Sequence, residues 1–392
     1  MAKDINPALD DDVFQQLKDA VDRFARERLI PAEKRLEEED EVPEEIVAEM
    51  KEMGLFGLST PEEFGGMGLC ASQEGQLIET LCYASLSFRS LIGTNVGIGA
   101  QGIVMDGTDA QKAHWLPGIA AGDIMTSFAL TEPDNGSDAA GIRTKATRDG
   151  DDYVINGTKR YITNAVRADV FTVYARTDPN EPGADGVTAF IVPADTAGIT
   201  VAKPDRKLGQ RGTKTSDVTF DDVRVPASTI LGGEARLGLG FRTAMKVLDR
   251  GRIHVSSMAV GQAQRIMDIA TDYALERTQF GKPIGEHQLV QGMLADCQAE
   301  LHAARALVRA TAVTFDQEGA AILEASCSKY FCTEMVGRVA DRALQIHGGA
   351  GYMAEYDIER LWRDVRLLRI YEGTSQIQQL IIARRTLAAR RT

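Results

Sequence analysis

The first third of the chain is patterned for helices. Apolar residues recur every three or four positions between residues 11 and 30, and this spacing predicts a helix that Pro31 ends. Pro43 suits the first turn of a second helix, and the helical pattern resumes at Gln73 and continues to about residue 121. We therefore expect a helical N-terminal domain, residues 1–121.

The pattern changes to that of β-strands near Met125. Asn156-Gly157 stands between the strand-like residues of segment 153–162, which predicts a hairpin with its turn at these two residues. Further strands are predicted at 170–175, 187–192 and 218–225. Together they predict an all-β middle domain, a barrel or sandwich, over residues 122–232.

The last third returns to long helical segments. Apolar periodicity predicts helices over about 240–278, 287–316 and 320–346, with a break at 347–351. Helices of this length suit an antiparallel four-helix bundle, here residues 233–392. The chain as a whole is therefore predicted to be an α+β multidomain protein in the order helical, β, helical.

Composition and charge narrow the class of protein. The chain has 392 residues, 44% of them hydrophobic and 26% charged, which is ordinary for a globular protein. A formal net charge of −13 argues against nucleic acid or an anionic membrane as the main partner. The N-terminus opens no apolar signal segment and no apolar run has the length of a membrane span, so we expect a cytoplasmic protein.

Metal chemistry is not expected. The five histidines are scattered, and none falls in an H-E-x-x-H pattern. The five cysteines lack C-x-x-C spacing, so we interpret them as buried or inert thiols of a reducing compartment.

The stretch 371–378 carries the strongest candidate chemistry. Glu372 is a lone carboxylate behind an apolar run, which is a setting suited to a general base. Gly373 allows a sharp turn, and Thr374 or Ser375 could cap a helix that begins at Gln376. The alternative is that Glu372 stands at a helix entrance without any chemical role.

The segment 128–138 is a second candidate site. It leaves a β run and enters a polar turn, where backbone amides and the hydroxyls of Thr131 and Ser137 could bind a polar heterocycle or a phosphate. An ordinary surface turn is the alternative.

Three separated motifs, taken together, resemble the acyl-CoA dehydrogenase family. They are Leu130-Thr131-Glu132-Pro133 followed by Gly136-Ser137-Asp138, then Gln345-Ile346-His347-Gly348-Gly349, then Tyr371-Glu372-Gly373-Thr374. The resemblance covers essentially the whole chain and includes the helical, β, helical order. It implies an acyl-CoA substrate and an FAD cofactor, with Glu372 removing the α-proton while the β-hydrogen passes as hydride to flavin N5, giving a trans-2-enoyl-CoA.

The same resemblance bears on the surroundings of the base. It implies that the backbone N–H of Glu372 helps to stabilise charge on the thioester carbonyl. Gly251 stands where isovaleryl- and long-chain-type members place their catalytic glutamate, which leaves Glu372 as the sole candidate base.

By their match to family motifs, further residues are expected to bind FAD within one subunit. Those that would line the flavin ring, its face or its pyrophosphate are Phe128, Leu130, Thr131, Gly136, Ser137, Tyr161, Ile162, Thr163, Thr374 and Gln376. Two of them depart from the family pattern, since many members have Trp where Tyr161 stands and others often have Tyr in place of Phe128. A smaller ring at Tyr161 can still stack on the flavin.

A second group of matching residues would reach the FAD of a neighbouring subunit. These residues are Arg277, Phe280, His287, Gln288, Gln345, Gly348 and Gly349. An arginine suits this role because its guanidinium pairs with pyrophosphate in bidentate fashion. Shared FAD sites imply an obligate oligomer, and the family resemblance favours a homotetramer.

The residues expected to contact the acyl-CoA follow from the same motifs. They are Ser137, Asp249, Arg252, Tyr371 and Gly373, with Arg252 near the CoA phosphates. A solvated helix face is the alternative for the two charged members of this set.

The acyl group itself is not derivable, but Arg89 bears on it. The segment Phe88-Arg89-Ser90 resembles the part of glutaryl-CoA dehydrogenases in which an arginine pairs with the distal carboxylate of the substrate, although Gly93 replaces a serine that helps there. The remainder of the chain resembles short- and medium-chain members more closely. The alternative for Arg89 is that it reaches solvent or an internal acid such as Glu79.

The resemblance implies an electron-transfer flavoprotein as the electron acceptor. An acyl-CoA oxidase, which passes electrons to oxygen, is the main alternative, but oxidases are typically longer at the C-terminus. Nitroalkane oxidases share the fold and carry Asp where Glu372 stands. A catalytically idle flavin- or CoA-binding subunit is a further alternative, against which the intact Glu372 argues.

Overall fold

The N-terminal part of the chain is helical, as predicted. The computed structural model describes residues 8–181 and 183–391. The helices of this part are α1 (Asp11–Phe24), α2 (Ile30–Glu39), α3 (Glu44–Glu52), α4 (Ala71–Leu81), α5 (Leu86–Gly93), α6 (Gln101–Asp106) and α7 (Asp109–Ala121). The apolar faces of α1 to α5 meet in one core that includes Val21, Leu29, Met50, Phe56 and Phe88, whereas α6 and α7 pack against the sheet in a second core.

The prediction that Pro31 ends the first helix is wrong. A π-helical turn, Ala25–Leu29, joins α1 to α2, and Pro31 lies in the first turn of α2. Proline is tolerated in a first turn because its missing N–H is not needed there. The change from π to α hydrogen bonding supplies such a turn in the middle of a continuous helical segment.

The middle part is one seven-stranded sheet. Its strands are β1 (Thr126–Ala129), β2 (Lys145–Asp149), β3 (Asp152–Thr163), β4 (Val170–Arg176), β5 (Val187–Pro193), β6 (Ile199–Val201) and β7 (Thr215–Pro226). They follow the order β1-β4-β2-β3-β7-β6, with β5 on β4, and the β1–β4 pair is parallel. Alternate residues of β4 enter two different cores, so both faces of this strand are covered and most of its residues are apolar.

The predicted turn at Asn156-Gly157 is also wrong. Both residues lie within the long strand β3, at a register shift against β7. A Cβ atom at Gly157 would come within 2.5 Å of Oγ1 of Thr144, so glycine is needed here for the close approach of another segment. The actual hairpin turn is Gly150-Asp151, because Asp149 pairs with Asp152 across β2 and β3.

The C-terminal part confirms the predicted long helices. They are α8 (Gly240–Glu276), α9 (Gln288–Glu318) and α10 (Ile322–His347), followed by α11 (Asp357–Val365) and α12 (Ser375–Ala388). A short hairpin of β8 (Thr278–Gln279) and β9 (Lys282–Pro283) connects α8 to α9. The three long helices enclose the largest apolar core of the described residues, with α11 contributing to it and α12 packing on α10.

Buried charges join the three parts. Glu33 of α2 accepts hydrogen bonds from Arg265 of α8 at 2.5 Å and from Arg360 of α11 at 2.7 Å. Asp364 of α11 accepts the backbone N–H of Gln210, which lies between β6 and β7. These contacts hold the helical parts and the sheet in one arrangement around the site described next.

The described residues show no feature of a membrane span or of a metal site. None of their helices is long and apolar enough to cross a membrane. They contain no cluster of three or more His, Cys, Asp or Glu side chains that could hold a metal ion. All five cysteines are free thiols, and only Cys327 is not fully buried.

Candidate active site

Glu372 lies in a left-handed turn just before α12. Its φ is +51°, a sparsely populated region for a residue with a side chain, and Gly373 follows with φ +88°. The hydroxyl of Thr374 accepts the N–H of Ile377 at 3.2 Å, so Thr374 is the helix cap of the two candidates. Ser375 instead donates to the carboxylate of Glu334 at 2.6 Å.

The turn directs the carboxylate of Glu372 onto Gly251 of α8. A Cβ atom at Gly251 would lie 2.3 Å from Oε2 of Glu372, so only glycine leaves room for the carboxylate at this point. Oε2 is buried and has no hydrogen-bond partner among the described residues, and the backbone N–H of Glu372 likewise donates to none of them. The site therefore presents a proton acceptor and an N–H donor whose hydrogen-bonding capacity is unused.

Two buried cations act on this carboxylate. Arg252 of α8 is buried and its guanidinium donates to Asp249, while burial lowers the pKa of Arg252 and raises that of Asp249. Lys329 of α10 donates to the carbonyl oxygen of Gly373 at 2.8 Å. A solvated helix face is thus the wrong description of Arg252. Its role toward the CoA phosphates stays a prediction.

Arg89 of α5 lies in a buried polar cluster. Arg89 is only 6% exposed, and its Nη2 atom lies 3.1 Å from Nδ1 of His254. Nε2 of His254 lies 2.9 Å from Oε2 of Glu74, which Arg250 also reaches at 2.5 Å. Because a guanidinium can only donate, Nδ1 accepts from Arg89, and Nε2–H donates to Glu74. Burial alone would raise the pKa of Glu74, but the His254 and Arg250 side chains lower it to about 2.

Both alternatives for Arg89 are wrong. It does not reach solvent, and Glu79 instead accepts from Arg305 at 2.7 Å. Gly93 makes room for the inward position, since a Cβ atom there would lie 2.7 Å from Nη1 of Arg89. One turn of α8 contacts both groups, with Gly251 facing Glu372 and His254 facing Arg89.

The ends of β1 and β3 lie side by side and hold the predicted flavin residues. The N–H of Arg160 donates to the carbonyl oxygen of Thr131 at 2.8 Å, and the hydroxyl of Ser127 donates to the carbonyl oxygen of Thr163 at 2.7 Å. The hydroxyls of Thr131, Thr163 and Ser137 make no hydrogen bond to any described residue. Hydroxyls that are free to donate and accept suit the polar edge of a flavin, so these residues fit FAD.

The other members of this group divide between core and surface. Leu130 and Ile162 are buried in the sheet, so their side chains serve the core. Tyr161 is 61% exposed in a left-handed backbone conformation, and it offers an aromatic face. Phe128 is half-buried, and Gly136 has open space around its Cα.

A buried ion pair between Lys159 of β3 and Glu132, which follows β1, was not predicted from the sequence. Lys159 is fully buried and donates to Glu132 at 2.8 Å and to the carbonyl of Leu130 at 3.0 Å. Glu132 also accepts the backbone N–H groups of Arg143 and Thr144. Burial opposes ionisation of Glu132, but Lys159 lowers its pKa below the ordinary value, while burial lowers the pKa of Lys159 to about 8. The usable signal was a lysine at an inward position of a strand, which calls for a buried partner.

An open cavity joins the β1–β2 connection to α12. It has a volume of about 430 Å³ and is lined by Ser137, Asp138, Ile377, Leu380, Ile381 and Arg384. Three apolar side chains of α12, those of Ile377, Leu380 and Ile381, therefore face this cavity. Ser137 lies where a ligand could extend from the strand ends along α12, while Gln376 is exposed on the first turn of that helix.

The residues predicted to serve a neighbouring subunit form a separate exposed region. Phe280, in the connection from α8 to α9, is 93% exposed, and Leu289, in the first turn of α9, is 86% exposed. Tyr273, in the last turn of α8, stacks on His347 with ring centroids 4.2 Å apart, which brings this connection next to the end of α10. Exposed apolar side chains of this size mark an interaction surface. The exposed predicted residues Arg277, Gln288, Gln345, Gly348 and Gly349 belong to these two segments, and His287 is half-buried against Phe280.

Comparison with known proteins agrees with this geometry. Three family models match, described as the N-terminal, middle and C-terminal domains of acyl-CoA dehydrogenase, over residues 11–123, 127–223 and 238–387. The probable acyl-CoA dehydrogenase YngJ of Bacillus subtilis (strain 168) is 41% identical over 95% of this chain and 97% of its own length. The (2S)-methylsuccinyl-CoA dehydrogenase of Cereibacter sphaeroides is 40% identical over 96% of this chain and 70% of its own length.

A solved structure extends the agreement to three dimensions. Butyryl-CoA dehydrogenase from Megasphaera elsdenii has a TM-score of 0.91 at 34% identity, covering 97% of this chain and 99% of that one. Family models of all three domains, relatives that span the chain and a matching fold lead to one conclusion. The chain belongs to the acyl-CoA dehydrogenase family of FAD-dependent oxidoreductases that act on CH–CH bonds.

Proposed function

We propose that Glu372 is the base that removes the α-proton of an acyl-CoA thioester in this enzyme. The observation that carries the proposal is the buried Oε2 atom of Glu372, which contacts Gly251 and has no hydrogen-bond partner among the described residues. A buried acceptor without a partner is costly unless a ligand uses it.

The residues around Glu372 suit proton abstraction from a thioester. The α-proton is weakly acidic, so negative charge that develops on the thioester carbonyl must be stabilised. The unused N–H of Glu372 can donate to that oxygen while the side chain of the same residue takes the proton. Arg252 and Lys329 supply positive charge beside the carboxylate. FAD, when bound near Thr131, Tyr161 and Thr163, supplies the acceptor for the β-hydrogen as hydride.

The Glu372→Gln variant tests this assignment, since it keeps the shape and removes the base. The purified variant should remain yellow but should not bleach when a thioester is added under argon, whereas the wild-type flavin band should bleach rapidly. Retained bleaching at a rate near that of the wild type would rule out Glu372 as the base.

For the acyl group, we propose a short- or medium-chain acyl-CoA, with a dicarboxylic acyl-CoA as the second candidate. The buried Arg89 specifically favours the second. Its only hydrogen-bond partner among the described residues is the ring of His254, and its Nε has none. A buried guanidinium without a carboxylate partner is costly, and a substrate carboxylate would compensate it. A relative at 40% identity acts, by its name, on methylsuccinyl-CoA, the thioester of a dicarboxylic acid.

A matched pair of substrates separates the two candidates. Glutaryl-CoA and valeryl-CoA have acyl chains of equal carbon number, and only the first ends in a carboxylate. If Arg89 binds that carboxylate, kcat/KM should favour glutaryl-CoA, and Arg89→Ala should abolish the preference while sparing valeryl-CoA. A wild-type enzyme that prefers valeryl-CoA would exclude the dicarboxylic candidate.

We propose an electron-transfer flavoprotein as the acceptor and a homotetramer as the assembly. The exposed region around Phe280 supports the assembly, since it presents apolar surface next to residues expected at a shared FAD site. Turnover with oxygen as rapid as with an electron-transfer flavoprotein would instead favour the oxidase alternative. Light scattering of the purified protein decides between a tetramer and other states.

A further inference from the structure

Lys329 is a buried ammonium without an ion-pair partner. It lies in α10 with none of its surface exposed. Among the described residues, its side chain donates one hydrogen bond, to the carbonyl oxygen of Gly373 at 2.8 Å. No described carboxylate lies within salt-bridge distance of its Nζ, and the nearby Glu334 instead pairs with Arg369 and accepts from Ser375. Burying an unpaired ammonium is expensive, so its retention calls for a reason beyond packing.

The carbonyl that Lys329 binds belongs to the turn that carries Glu372. Glu372 and Gly373 both have positive φ, and such a turn persists only when its surroundings hold it. Two side chains do so, since Gln378 also donates to the Gly373 oxygen, at 3.1 Å. A Cβ atom at Gly373 would lie 2.4 Å from Nε2 of Gln378, which shows how closely the turn is enclosed.

The charge of Lys329 also reaches the carboxylate. The charged groups that face it are Glu372 before α12, Arg252 on α8 and Glu334 on its own helix. Burial lowers the pKa of Lys329 to about 8, and Arg252 lowers it as well, while the two carboxylates oppose both effects. Lys329 is therefore mainly an ammonium at neutral pH.

We propose that Lys329 is a positioning residue for proton abstraction. Its ammonium holds the Gly373 carbonyl so that the Glu372 carboxylate stays over Gly251, and its positive charge attracts that carboxylate when an acyl chain displaces water from the pocket. This role rests on the proposed function of Glu372 as the base. No family motif identified in the sequence includes Lys329.

Three variants test the proposal on the holoenzyme. Lys329→Met keeps the volume and removes both the hydrogen bond and the charge. It should bind FAD normally, lower kcat about 10- to 100-fold with little change in KM, and move the acid limb of the pH profile of kcat/KM upward by roughly one pH unit. Lys329→Arg, which keeps the charge, should restore the acid limb of the wild type. Gln378→Leu is the matched control, because it removes a neutral donor to the same carbonyl and should leave the acid limb in place.

The outcomes separate this inference from the function on which it rests. A Lys329→Met enzyme with wild-type kcat and an unchanged acid limb would overturn the positioning role, whereas an active Glu372→Gln enzyme would overturn the base assignment itself. If Lys329→Met does not fold, Lys329→Arg and Lys329→Gln give the same comparison of charged and neutral side chains. Equal acid limbs in those two variants would also overturn the proposal.

Discussion

Replacing Gly251 with alanine should separate activity from stability. A Cβ atom at this position would lie 2.3 Å from Oε2 of Glu372, whereas ordinary contact begins at 3.4 Å. The carboxylate must therefore retreat by about 1 Å, the difference between the two distances. A displacement of that size at a reacting group lowers the rate about 100-fold, equivalent to about 2.7 kcal/mol in the activation free energy.

The fold should tolerate the same change. The movable end of the Glu372 side chain is the main obstacle to the new methyl group, since the next neighbour, Ile98, lies at 3.7 Å. Alanine is favoured over glycine in a helix interior by about 1 kcal/mol. The free energy of unfolding of Gly251→Ala should therefore equal or exceed that of the wild type.

The assay measures kcat/KM and the melting temperature together, with flavin content as a check on the cofactor. Gly292→Ala is the matched control, because a Cβ atom at that position of α9 would meet nothing within 4 Å. It should show the same gain in helix stability and wild-type kcat/KM. A Gly251→Ala enzyme with wild-type kcat/KM, or one that melts several degrees below the wild type, would contradict this prediction.

Two further predictions concern other buried charges. Lys159→Met should leave Glu132 buried without its cation and loosen the β1 end, so FAD should dissociate at least tenfold more readily in a flavin-fluorescence titration; unchanged FAD affinity would contradict this. Burial raises the pKa of Asp364 from 3.8 to about 6, so the native state binds more protons than the unfolded chain between these pH values and its stability falls as pH rises. Asp364→Asn should therefore gain up to about 3 kcal/mol in unfolding free energy relative to the wild type between pH 3.5 and pH 7.5, measured by urea denaturation; a pH-independent difference would contradict this.

The helical, β, helical order could be read from the sequence because it depends on local periodicity. Helices α8 to α10 are long, and their apolar positions repeat often enough to outweigh exceptions. The two local errors have local causes. Pro31 falls at a change of helix type, and Gly157 is present because Thr144 approaches it closely, which no neighbour in sequence reveals.

The site could be predicted only as far as motifs reach. Glu372 and Gly373 stand next to each other in the chain, so their turn was visible, and the place of Gly251 followed from the family resemblance. Lys329 and His254 lie in the interiors of long helices. Lys329 binds Gly373, 44 residues away in sequence, and His254 binds Glu74, 180 residues away. Contacts across such separations are set by the packing of α10 and α8, not by any local pattern.

The carboxylate of Glu33 bears on how the molecule unfolds. It belongs to α2 and yet binds arginines of α8 and α11, while Asp364, beside them, binds the backbone of Gln210 in the connection between β6 and β7. Separating any one part from the others would strand a buried charge, at several kcal/mol each. We expect a single cooperative transition in calorimetry, and we expect isolated fragments not to fold alone. The three parts that are distinct in sequence are thus, in energetic terms, one indivisible unit.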